Sequence, residues 1–262
     1  MLHASTKWIA PILAVLALAA AQSPSAEAGF TLTVQEDNGP VIDISGPLNQ
    51  STNPDTISAI KDALNLQLTY FQFNSLSAFS SAPDNSTYAT LTQTADVFRT
   101  DENRGGNVHT LTIVARDDTF VVPTGNPKIM RTSAGVTFDH TVAGDQRTFQ
   151  STFDATGSGG SMISTPSGAF TFVPPAGLGP FQSLNPDLET ALGNQPIPFT
   201  LTNTTVITMG ANDASLLGPQ HAQTTGATTV QPVPEPGSMA LSLISLPALL
   251  ALGRRMRRRI AD

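Results

Sequence analysis

Chemistry needs reactive side chains, and this 262-residue chain offers few. It has no cysteine, which removes a thiolate nucleophile, a cysteine metal site and a disulfide framework. Of its four histidines, His3 sits in the N-terminal leader and His221 in a Thr- and Gln-rich stretch. His109 and His140 fall on inward phases of alternating runs, where a hydrogen-bonded structural histidine is the simplest reading. No His-Glu-x-x-His spacing, P-loop or dinucleotide fingerprint accompanies them. There is no Gly-x-Ser-x-Gly nucleophile elbow either; Ser161, after Gly159-Gly160, falls in an expected loop.

Carboxylates come next, because glycoside hydrolysis needs only two of them. Asp117 and Asp118 are adjacent, and adjacent residues on a strand point to opposite faces, so a turn between Arg116 and Phe120 is expected. Glu36, Asp37 and Asp43 flank one expected hairpin, and clustered oxygens of that kind suit a hard cation such as calcium. No Asp-x-Asp-x-Asp-Gly loop supports such a site, so no metal and no cofactor is expected. The run from Asp101 to Gly106 reads as a solvated hairpin turn, and Asn-x-Ser/Thr triplets at Asn49, Asn85 and Asn203 are expected by chance. The sequence assigns no catalytic residue.

The elements that would position these groups are strands. Phe30, Leu32 and Val34 share one face, and Asp37-Asn38-Gly39 turns the chain toward Val41–Ile44. Leu66, Leu68 and Tyr70 alternate, and the phase then slips to Phe71 and Phe73, which points to a bulge or bend. A Thr-rich strand is expected over Tyr88–Phe98. Period-two faces follow at His109–Ala115, Val136–Val142, Phe149–Phe153 and Phe199–Ile207. One helix is expected over Asp55–Leu64, with Ile57, Ile60 and Leu64 on one side. Some ten strands without a fixed repeat imply an all-β, antiparallel, jelly-roll-like β-sandwich rather than a propeller or solenoid. Gly157–Gly160 reads as a flexible loop, and 210–232, rich in Thr, Gln, Gly and Pro, as a flexible linker.

Composition agrees: only 13% of residues are charged, and Thr, Ser, Gly, Pro and Asn fill the gap. The chain's 20 acidic residues include Glu27, Glu235 and Asp262; its 13 basic residues include Lys7 and five C-terminal arginines. Residues 29–232 therefore hold 17 negative and 7 positive side chains. Nothing so acidic is expected to bind nucleic acid, which requires clustered Lys and Arg.

The two ends carry the sharpest signals. Lys7, an apolar run from Trp8 to Ala21, and Ala26-Glu27-Ala28 before Gly29 form a secretory signal peptide. Signal peptidase is expected to cut after Ala28, with Ala21 as the alternative site, and Sec-type machinery to export the rest. At the other end Pro234-Glu235-Pro236 precedes an apolar segment, Ser238–Leu252, and then Arg254, Arg255, Arg257, Arg258 and Arg259. At 1.5 Å per residue the segment makes a helix of roughly 22 Å, short for a bilayer of about 30 Å. The arginine cluster would stay cytoplasmic, leaving the body outside the inner membrane.

Triplet, apolar helix and arginine cluster together resemble the PEP-CTERM sorting domain, over residues 233–262. The same kind of segment is also labelled the C-terminal domain of ice-binding proteins. The resemblance implies an exosortase partner, a membrane protease that cuts near the triplet and passes the body on. It also implies a cell-surface or extracellular-matrix destination, often beside exopolysaccharide. The resulting division is signal peptide 1–28, body 29–209, linker 210–232 and sorting segment 233–262, with helix 238–252 and basic tail 253–259. The expected protein is a non-catalytic surface or matrix protein. Carbohydrate-binding and ice-binding modules, or less plausibly a glycoside hydrolase, are the alternatives; the threonines at 200, 202, 204 and 205 lack the regular spacing an ice face needs.

Overall fold

The computed structural model describes residues 29–82, 87–100, 107–157, 159–211 and 218–233. The signal peptide and everything from Pro234 onward, including the expected membrane helix, lie outside these residues. Among the described residues no helix is long and apolar enough to cross a membrane.

The chain forms two antiparallel sheets packed face to face. In order the strands are β1 (Thr31–Glu36), β2 (Val41–Asp43), β3 (Thr56–Ser58), β4 (Phe71–Ser80), β5 (Ala89–Arg99), β6 (His109–Phe120) and β7 (Lys128–Asp139). They continue with β8 (Gln146–Thr156), β9 (Met162–Pro166), β10 (Phe170–Phe172), β11 (Phe181–Gly193), β12 (Phe199–Met209) and β13 (His221–Pro232). One sheet runs β10-β8-β12-β6-β1-β2, with β9 also on β8; the other runs β11-β7-β13-β5-β4-β3. From β5 to β8 the chain alternates between the sheets, stays beside β8 through β9 and β10, and alternates again from β11. It then returns to place β12 between β6 and β8, and β13 between β5 and β7. That winding is a jelly roll, flanked by β1–β2 on one sheet and β3–β4 on the other.

The alternating runs point inward as expected: Leu111, Ile113, Phe138, Phe149 and Leu201 are all buried. Phe120, Phe153 and Phe199 pack ring on ring, with centroids 5.5 and 4.7 Å apart along the chain of contacts. Burying apolar area at roughly 25 cal/mol per Å² is what holds the two sheets together.

Four expectations need correction. The helix foreseen over Asp55–Leu64 is a three-residue strand, β3, followed by α1, only Lys61–Asn65. β-Branched Thr56 and Ile57 pair across Phe79 and Ala78, and an edge strand wins over a short, poorly nucleated helix. Leu66 is exposed and precedes β4 rather than joining it; the chain bends at 69–70, where the phase slips, and a bulge follows between Phe73 and Ser75. There the Asn65 side chain stands in for a strand, donating to Phe73 O at 2.9 Å and accepting from Phe73 N at 2.8 Å.

Asp117 and Asp118 lie within β6, not in a turn. The register against β12 slips between Phe199 and Leu201, and buried Asp117 caps the bulge by accepting from Thr119 N at 2.8 Å and Thr119 Oγ1 at 2.7 Å.

The expected linker contains a central strand. Residues 221–232 are β13, bonded on both sides. Its inward residues are Ala222, Thr224, Gly226, Thr228 and Val230, mostly small or polar, so no apolar period betrayed it. They are small because the facing sheet is large here: Arg147, Phe149 and Asn203 project onto them.

Candidate functional site

Three polar assemblies stand out, and the first gathers on His221. Its Nδ1 lies 3.0 Å from Asp139 Oδ2 and its Nε2 lies 2.6 Å from Asp96 Oδ1. The registers explain the meeting, since His221 pairs with Phe98 on β5 and with Asp139 on β7. The Phe98 ring stacks on the imidazole at 4.2 Å. Two charge-assisted bonds are available when the ring carries both protons. Because both nitrogens face carboxylates, this histidine braces three strands.

The second assembly is on His109. Its Nδ1 lies 2.7 Å from Asp37 Oδ2, and Tyr70 stacks on the ring at 3.5 Å. Asp37 also accepts from Thr110 N at 2.7 Å. Glu36, which the sequence placed in a conceivable calcium cluster, accepts instead from the backbone N–H groups of Thr69, Tyr70 and Phe71. Asp43 accepts from Ser45 N. The three carboxylates are thus spent on separate backbone segments. Among the described residues no group of three His, Cys, Asp or Glu is arranged to hold a metal. His140 lies beyond the end of β7 with φ of 55°, half-buried and close to Gly218, rather than on an inward strand position.

A third, buried assembly closes the same end of the sandwich. Asp145 accepts from Val142 N at 2.9 Å, Gly210 N at 2.6 Å and Gln220 Nε2 at 2.9 Å. Arg99 donates to Met209 O at 3.0 Å and also to Gly210 O and Asn107 O. Burial pushes the Asp145 carboxyl above its ordinary value, against the pull of these donors and of Arg99. Between the sheets Asn203 accepts from Ser151 Oγ and Thr228 Oγ1 and donates to Leu91 O. Fully buried, it is no acceptor for a glycan. Thr205 is buried too and bonded by Gln93, so the threonines at 200, 202, 204 and 205 do not share one face.

The concave surface lies elsewhere, on the outer face of the six-stranded sheet. Two depressions of about 390 and 370 Å³ lie side by side there and share Thr94, Gly135, Leu184 and Thr225. Those four form one cross-strand row over β5, β13, β7 and β11. The next row is Asp96, Gln223, Thr137 and Gln182. Gly135 opens the floor, since a Cβ there would stand 3.1 Å from both Leu184 Cδ2 and Thr225 Oγ1. Below the floor, buried Arg147 donates to Thr225 O at 2.8 Å and to Thr224 Oγ1 at 3.1 Å, its guanidinium 5.0 Å from the Phe149 ring centre. Burial lowers that guanidinium to about 10. This trough was missed in the sequence because its lining is mostly Thr, Gln, Ser and Gly, residues that carry no motif.

The residues assigned from sequence to processing are not part of any of these assemblies. Ala26, Ala28, Pro234, Glu235, Pro236, Arg254, Arg255, Arg257, Arg258 and Arg259 all lie outside the described residues.

No protein-family model matches this chain, and no curated protein matches it. Among solved structures it is similar to the CBM22-1–GH10 modules of Clostridium thermocellum xylanase 10B complexed with xylohexaose. That similarity has 9% identity and a TM-score of 0.28, over 56% of this chain and 26% of that one. A second similarity is to the Gx strain of infectious bursal disease virus, at 12% identity and a TM-score of 0.24, over 80% of this chain and 53% of that one. Likenesses this remote carry no argument about function.

Proposed function

We propose that this chain is an exported, non-catalytic surface or matrix protein whose β-sandwich is delivered by a removable C-terminal sorting tag. One observation supports this most: among the described residues, the last strand ends just before the Pro-Glu-Pro triplet. The last strand closes at Pro232, and Val233 N still donates to Pro127 O at 2.8 Å. Pro234 follows at once. A protease acting at or after Pro234-Glu235-Pro236 would release the body with every strand ladder intact. A cut ten residues earlier would remove most of β13.

The N-terminal end is arranged in the same way. Cleavage after Ala28 leaves two residues before β1 at Thr31. The prolines disfavour helix in the residues before them, so Glu235 is presented in extended backbone to a protease cleft. Ser238–Leu252 and the arginines then hold the substrate in the inner membrane, body outward, until an exosortase cuts it. Partners in this reading are Sec-type export, signal peptidase, the exosortase and exopolysaccharide at the destination. The non-catalytic reading is supported by His109 and His221, each committed to aspartate and stacked on an aromatic ring.

The test is fractionation of cells expressing the chain with Pro234, Glu235 and Pro236 all replaced by alanine. The variant is expected uncut in the inner membrane, while the parent reaches the surface or medium. Delivery and trimming of the variant like the parent would leave a plain tail anchor in place of a sorting tag.

A further inference from the structure

We propose that the trough on the outer face of the six-stranded sheet binds a chain of neutral polysaccharide. This goes beyond sorting and rests on the trough alone.

Shape comes first. The two depressions adjoin across the Thr94–Thr225–Gly135–Leu184 row, so together they form one elongated channel rather than two separate cups. Their volumes lie in the range of small-molecule sites. The lining comes from five successively bonded strands, with Arg147 bonded to Thr225 O beneath, so little ordering cost attends binding.

Chemistry narrows the ligand. Gln182, Gln223, Thr137 and Thr225 present amide and hydroxyl groups that donate and accept, which matches a ligand built of hydroxyls. Leu184 is 84% exposed, an apolar shelf beside this polar row. An apolar shelf and a hydroxyl-pairing row side by side suit the two characters of a sugar ring, its C–H face and its hydroxyl edge.

Charge excludes the other candidates. Among the described residues lining the trough none is Lys or Arg, and the one acid, Asp96, already faces His221 Nε2 at 2.6 Å and Asn74 Nδ2 at 3.0 Å. Nothing there pairs with a phosphate, sulfate or uronate. The acidic body would repel a polyanion from a distance as well.

The experiment is native affinity electrophoresis of the full-length chain in a non-glycosidic detergent. Gels contain hydroxyethylcellulose, xylan, galactomannan, dextran or, as the anionic control, alginate. At least one neutral polymer is expected to retard the chain, and alginate is not. The triple variant Gln182→Ala, Gln223→Ala, Thr225→Ala is expected to bind that polymer at least tenfold more weakly, with an unchanged melting temperature. If the triple variant does not fold, Leu184→Asp at the exposed shelf gives the same comparison and is expected to weaken binding as far. Three results would each overturn the proposal: no retardation by any neutral polymer, stronger retardation by alginate, or a folded variant retarded like its parent. Sorting is read from cell fractions and is untouched by any of them.

Discussion

Gly226 on β13 lies flat against the ring of Phe149 on β8, and a Cβ built at Gly226 would stand 2.2 Å from Phe149 Cε2. The contact ties the last strand to a fully buried ring on the facing sheet. Only hydrogen fits there. Gly226→Ala should lower stability by about 1–3 kcal/mol, the usual range for overpacking a filled core. Denaturant unfolding followed by tryptophan-independent circular dichroism reads it out; an unchanged midpoint would mean the sheets are not so closely packed.

The same strand gives a sharper test. A chain ended after Gly218 lacks β13, which β5 and β7 both bond along most of their length. Two neighbouring strands would then expose unpaired edges within one sheet. Such a chain should not fold cooperatively, whereas one ended after Val233 should. Amide hydrogen exchange distinguishes them, and equal protection in both would restore 210–232 to the status of a linker.

Asp145 supplies a pH dependence. Its folded value is raised by burial, so the folded state takes up this proton more readily than the unfolded chain. Its stabilising contribution is therefore fully present below the unfolded value and is lost as pH rises through the folded one. Asp145→Asn removes that contribution and also sets an amide against Val142 N or Gly210 N. The margin by which the parent exceeds the variant in stability should thus be larger near pH 4 than at pH 7. A margin that shrinks on acidification would contradict the burial argument.

Asn203 joins Ser151, Thr228 and Leu91 O in a buried layer between the sheets. Asn203→Ala leaves these partners without their bonds and should cost about 1–3 kcal/mol, the penalty for orphaned buried polar groups. A change under a few tenths of a kcal/mol in the denaturation midpoint would mean water replaces the amide at no cost.

The sandwich was legible wherever large apolar residues alternate, as at Leu111 and Ile113 or Phe149 and Phe153, because a half-buried strand must alternate. It was illegible at β13. There the inward side chains are Ala, Thr and Gly, shaped by Arg147 and Phe149 on a strand some 75 residues earlier, and no local pattern records that. Asp117-Asp118 misled for a related reason: a bulge within a long strand borrows the residues of a turn. The trough was hidden because it is made of register. Thr94, Gly135 and Thr225 are ordinary surface residues until β5, β13 and β7 align them. His221 likewise acquires its two aspartates only through that alignment.

The central claim, that a complete sandwich is freed from a tag lying just beyond it, is tested most directly by the intact mass of the chain recovered from the cell surface or medium. The mass should correspond to a chain that begins at Gly29 and ends after Val233 but before the apolar segment that starts at Ser238. A recovered chain that still carries Arg254–Arg259, or one that ends within β13, would contradict it.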